Sequence, residues 1–180
     1  LVYEAENNVD SAEYCYLKAF ELYKSINNRL GMAYALDYLS GIYARTERLN
    51  EAERDLRHSL EIRQQLQDKT GVAIAINNLG ELFLAKKEYS QAIYFFKAAY
   101  DSAAVLQFID LQANAMNMLA NVYQLTGDYK NAYDALQQYT LLNKNVMDEK
   151  RLKNIEEFEA KYESEKKENE ITKQKLQLSK

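Results

Sequence analysis

Apolar positions in this chain recur with two nested periods. The short one is helical. Ala75, Ile76, Leu79, Leu82 and Phe83 follow an i, i+3, i+4, i+7 spacing, and Ala92, Phe96, Ala99 and Tyr100 do the same. The long period is 40 residues. Tyr3, Tyr43, Phe83 and Tyr123 share one register, and Ala12, Ala52, Ala92 and Ala132 another. Tyr16, Leu56, Phe96 and Leu136 follow, as do Ala35, Ala75 and Ala115, then Leu39, Leu79 and Leu119. Short polar stretches, Lys86-Lys87-Glu88 and Thr126-Gly127-Asp128, separate the helical segments. Each 40-residue unit therefore predicts a helical hairpin. The small Ala at matching places lets the two backbones approach, and the aromatic or Leu that follows fills the space beside it. Asn50 with Glu53, and Asp10 with Glu13, read as capping boxes that open second helices. Gly31 and Gly71 suit the turn before each new hairpin.

A lone hairpin cannot bury its apolar face, whereas stacked hairpins share one continuous core. The expected fold is all-α, a solenoid over residues 1–148 followed by a charged helix over 149–180. The array divides into a partial unit 1–28 and full units 29–68, 69–108 and 109–148. Because the first unit lacks most of its first helix, further repeats are expected to precede Leu1. With no proline and five glycines, few residues break a helix, in keeping with this reading.

Composition removes several classes of function. A net charge of −4 gives no basic footprint for nucleic acid or for an anionic membrane surface. One cysteine, Cys15, excludes a disulfide framework, and one histidine, His58, excludes a multi-histidine metal centre. No Gly-rich phosphate loop occurs, and no apolar run is long enough to span a bilayer. His58 has no nucleophile marked near it and reads as a structural histidine. The expectation is a non-catalytic chain without cofactor or metal.

Leu79-Gly80-Glu81-Leu82-Phe83 with Tyr89-Ser90-Gln91-Ala92 and Phe96, and their counterparts Leu119 to Tyr123 and Tyr129 to Ala132, resemble the tetratricopeptide repeat family. The family's usual Trp is replaced by Leu36, Ile76 and Met116, and its closing Pro is absent. The period of 40 exceeds the family's usual 34, as in kinesin light chain and the bacterial peptide-pheromone receptors. The resemblance implies a right-handed superhelix whose first helices line the concave side, and a protein or peptide as the partner held there.

On that face the sequence places Tyr34, Asp37 and Tyr38 in one unit, Asn77, Asn78 and Glu81 in the next, and Asn114, Asn117 and Asn121 in the last. A carboxamide both donates and accepts, so an amide strip can grip an extended peptide backbone without reading its side chains. Tyr34 and Tyr38 would add flat apolar contact at one end. Arrays that clamp the C-terminal carboxylate of chaperones use Lys and Arg here. Asp37, Asn77 and Asn117 stand instead, which argues against a chaperone-tail adaptor.

The repeat register fails after about Asp148. Residues 149–180 hold 17 charged side chains, nine basic and eight acidic, so a helix there is largely solvated. Ile155, Phe158 and Tyr162 form a short apolar stripe, which either caps the last hairpin or pairs with a second copy as a stalk. Glu157 to Glu170 resembles the charged helix that follows the repeats in membrane-bound regulators of Bacteroidetes-type bacteria. That resemblance implies the sensor region of a two-component-type regulator, with a parent anchored in the inner membrane and this region in the periplasm. A cytoplasmic location is the alternative. A free-standing scaffold and an intracellular receptor for a short signalling peptide are the rival functions.

Overall fold

Six consecutive helices among the described residues have the same length. The structure, a computed structural model, describes residues 9–144. Helices α1 (Val9–Ser25), α2 (Arg29–Arg45), α3 (Leu49–Gln65), α4 (Lys69–Ala85), α5 (Tyr89–Val105) and α6 (Ile109–Leu125) each span 17 residues. The next helix, α7, begins at 129. No strand occurs among the described residues, and no helix there is long and apolar enough to cross a membrane. The chain divides into two units, Leu1–Thr140 and Leu141–Lys180. In the second, residues 141–144 are helical. The candidate residues Ile155, Phe158 and Tyr162 lie outside the described residues.

The uniform length comes from one turn used six times. Asn27, Glu47, Gln67, Lys87, Gln107 and Gly127 all have positive φ, between 54° and 77°. The residue after each donates its N–H to the carbonyl five residues back. Examples are Asn28 to Tyr23 at 2.8 Å, Arg48 to Tyr43 at 2.8 Å and Glu88 to Phe83 at 2.9 Å. This is the Schellman closure, which satisfies the last carbonyls of one helix. The residue that completes it is also the N-cap of the next helix, so three residues join each pair. Five of the six left-handed positions carry a side chain, at about 1–2 kcal/mol each relative to the right-handed region. Lys87→Gly is therefore expected to raise stability by about 0.5–1 kcal/mol, the strain relieved less the entropy glycine loses. Chemical denaturation of the full chain checks this, and a glycine variant less stable than the parent would refute it.

This geometry corrects three expectations. Asn50 does not cap a helix. α3 starts at Leu49 behind Arg48, whose side chain makes no capping bond. Asp10 lies inside α1. Gly31 and Gly71 are not turn residues but sit buried in the first turns of α2 and α4. A Cβ on Gly31 would come within 2.5 Å of the Tyr23 ring, and one on Gly71 within 2.1 Å of the Arg63 guanidinium. Side-chain caps form at Asn28 and Asp68, which accept from the N–H of Gly31 and Gly71, both at 2.9 Å.

The principal core runs through the stack in the repeat register. Leu39, Leu79 and Leu119, Ile42, Leu82 and Val122, and Tyr43, Phe83 and Tyr123 are all buried. Ala52 and Ala92 are fully buried where α3 and α5 meet their partners. Leu56 and Phe96 fill the space beside them. From α1 to α6 each helix packs on its neighbours in sequence, and α4 also touches α2 and α6. The odd-numbered helices α3 and α5 make no such direct packing. Within the first unit, α2, α4 and α6 thus form the inner row of the stack.

Candidate functional site

The inner row carries the candidate residues, and the structure sorts them into clefts. Tyr34, Asp37, Tyr38 and Asn78 line one cleft of about 310 Å³ together with Arg63 and Asp68. They meet because Tyr34, Asp37 and Tyr38 are three and four residues apart on α2, while Asn78 projects from α4. Tyr34 and Tyr38 are 50% and 47% exposed. Tyr38 stacks on Tyr16 of α1, with ring centroids 4.8 Å apart and planes 11° from parallel. Asp37 and Asn78 also line the adjoining cleft, about 370 Å³, with Glu81 and the apolar Leu56 and Leu82.

Arg63 organises the first cleft. It projects from α3 and is 3% exposed. Its Nη2 lies 2.5 Å from Asp37 Oδ2 and its Nη1 2.8 Å from Asp68 Oδ2. Its Nε donates to Ser59 Oγ at 3.3 Å, and the guanidinium sits 4.8 Å from the centre of the Tyr34 ring. Burial works against the charge of Arg63, but Asp37 and Asp68 outweigh it and hold its pKa above the ordinary arginine value. Sequence reading passed over Arg63, because its register holds Tyr23 and Ala103 in the neighbouring hairpins. The available signal was a charge at a core position with two aspartates in reach.

Glu81 is differently placed. Its Oε1 accepts from Asn77 Nδ2 at 3.0 Å, and it forms no ion pair among the described residues. Desolvation pushes its carboxyl pKa above the usual range, and the Asn77 bond offsets this only in part. Glu53 on α3 is the contrast. Lys86 and Arg57 both bind it, and chiefly the Lys86 bond holds its pKa below the usual range. A raised carboxyl pKa means the folded state holds the proton more tightly than the unfolded chain. Ionised Glu81 therefore costs stability above its folded pKa, and the cost vanishes as pH falls below the unfolded value. Glu81→Gln is expected to be more stable than the parent near neutral pH, with the difference closing in acid. Thermal melts across pH test this, and a difference that grows in acid would contradict it.

Asn77 is a correction to the groove as read from sequence. It is 3% exposed, with its amide on Glu81 and its Oδ1 buried without a partner. Asn114 is half-buried, also with an unpartnered Oδ1. Asn117 and Asn121 remain exposed and line a third cleft, about 340 Å³, with Gln124, Tyr129 and Tyr133. Those two tyrosines, 72% and 60% exposed, were not singled out by sequence. Their registers, shared with Tyr89 and Ile93, look like ordinary packing positions. His58 is exposed and meets Phe20 edge-to-face at 6.3 Å, with no nucleophile hydrogen-bonded to it among the described residues.

Comparison with known proteins agrees with this architecture. Residues 31–104 and 113–146 match tetratricopeptide repeat families. Among solved structures, BtubC (BKLC) from P. vanneervenii superposes with a TM-score of 0.70 at 21% identity. That match covers 80% of this chain and 60% of BtubC, so the chain spans less than two thirds of that protein. The nearly identical TPR-like repeats of a kinesin light chain-type protein from Podosopora anserina superpose with a TM-score of 0.64 at 15% identity, covering 80% of this chain and 71% of that one. At these identities the likeness is one of fold. No curated protein matches the chain.

Proposed function

This chain is an array of tetratricopeptide repeats, a protein-interaction module, and on that premise we propose that its α2–α4–α6 face binds an extended peptide segment of a partner protein. The observation that carries the reading is the line of three clefts along that row, each holding at least one amide side chain open to solvent or half-buried. Asn78 serves the first two clefts, and Asn117 and Asn121 the third. Exposed tyrosines stand at both ends, Tyr34 and Tyr38 at one and Tyr129 and Tyr133 at the other. Amides supply backbone hydrogen bonds and tyrosines supply rigid contact area, a pairing suited to a chain that is itself extended.

A random library of 12-residue peptides selected on the full chain tests this. Binding peptides are expected, and Asn78→Ala and Asn117→Ala should each weaken them about 3- to 10-fold, the worth of a neutral hydrogen bond. Failure to select any peptide, or affinities untouched by both substitutions, would sink the reading.

The finer reading makes this module the sensor region of a larger bacterial two-component-type regulator, paired through Ile155, Phe158 and Tyr162. It rests on the resemblance of residues outside the described range. Light scattering of the full chain and of Phe158→Glu decides the pairing. A dimer that the variant converts to a monomer supports it, and a monomer in both cases removes it.

A further inference from the structure

The two clefts joined at Asp37 and Asn78 have more acceptors than donors. Asp37, Asp68 and Glu81 bring three carboxylates to their walls and Arg63 a single cation, already shared between Asp37 and Asp68. Asp37 Oδ1 is buried and has no hydrogen-bond partner. An unmet buried acceptor is costly, and the cost ends when a donor arrives. Glu53 shows that this sequence supplies cations to a carboxylate where stability is served, through Lys86 and Arg57. Glu81 and Oδ1 of Asp37 receive none among the described residues.

Resting on the peptide-groove reading above, we infer that the paired clefts between Asp37 and Glu81 receive a lysine or arginine side chain of the bound segment. An ammonium or guanidinium brings three to five N–H donors on an apolar stem. The donors meet Glu81, Asp37 Oδ1 and the Asn78 amide, and the stem lies against Leu56 and Leu82. The third cleft, lined by amides and tyrosines without a charged side chain, has no such preference. One end of the groove thus selects a basic residue, and the other holds the backbone.

Peptides from the random 12-residue selection on the full chain provide the probes. They are expected to share a Lys or Arg at one position. Replacing that residue with norleucine should weaken binding about tenfold or more. Glu81→Gln should cause a similar loss, and the two changes together should cost little more than either alone. Asp101→Asn removes the same charge from an exposed site on α5 and should change affinity less than about twofold, which separates a seated cation from general attraction to an acidic protein. Selected peptides without a shared basic residue would overturn the inference and leave the peptide groove standing, as would losses that simply multiply. No selected peptide at all would overturn both.

Discussion

Replacing Arg63 with alanine is expected to remove about 3–5 kcal/mol of stability, the range for breaking a buried ion pair by deleting one partner. The reason lies in what is left behind. Asp37, whose Oδ1 is already without a donor, loses the Arg63 cation bound to it. Asp68 loses its ion pair, although it can still cap α4 through Gly71. Ser59, fully buried, loses the contact with Arg63 Nε and keeps only its bond to the Ala33 carbonyl. Three elements are loosened at once, because Arg63 links α3 to α2 and to the turn before α4. In a repeat array the loss need not be global. Amide exchange should therefore accelerate in α1–α3 before α5 and α6. Pairing Arg63→Met with Asp37→Asn should recover much of the loss, since charge and partner leave together. A single-variant loss below about 1 kcal/mol would show that the network carries little of the fold.

Phe96→Ala should cost a similar amount, about 3–5 kcal/mol, by opening a cavity in the principal core. Phe96 is fully buried on α5 and seated directly over Gly80 of α4. A Cβ on Gly80 would come within 2.7 Å of the ring. Gly80→Ala alone should therefore destabilise by about 1–3 kcal/mol, despite the better helix propensity of alanine. In the Phe96→Ala background the same change should become neutral or stabilising, because the ring that it would strike is gone. Denaturant unfolding of the four proteins in this cycle measures the coupling. Additive effects would mean that the ring and the glycine do not share one space.

That pair also shows how much of the fold could be read in advance. Forty residues earlier the same two places hold Ser40 and Leu56, and forty later Ala120 and Leu136. Gly stands only where the opposing side chain is the larger Phe, so volume is balanced across the repeat. Registers built on such packing were legible, and Leu79, Leu82, Phe83 and Ala92 are buried as expected. Helix starts were not. The residue that turns the chain is Glu47 in one link and Lys87 in another, and of the six links a glycine marks only the last, at Gly127. Asn50 looks like a cap by type, yet the turn at Glu47 passes that role to Arg48.

The candidate site was partly legible for the same reason. Tyr34, Asp37 and Tyr38 share one helical face and do share one cleft. Asn77 and Asn78 are adjacent in sequence, and spacing does not tell that Asn77 is the covered one, at 3% exposed, while Asn78 reaches the clefts. Arg63 escaped notice because its role depends on Asp37 and on Asp68, and no residue type repeats at its register.

Backbone amide shift mapping of the full chain with a selected 12-residue peptide decides whether the inner row holds the ligand. The shifted resonances should belong to that row, around Asp37, Asn78, Glu81, Asn117 and Asn121, in one continuous strip from α2 through α4 to α6. Shifts confined to the outer helices α3 and α5, with the inner row silent, would contradict it.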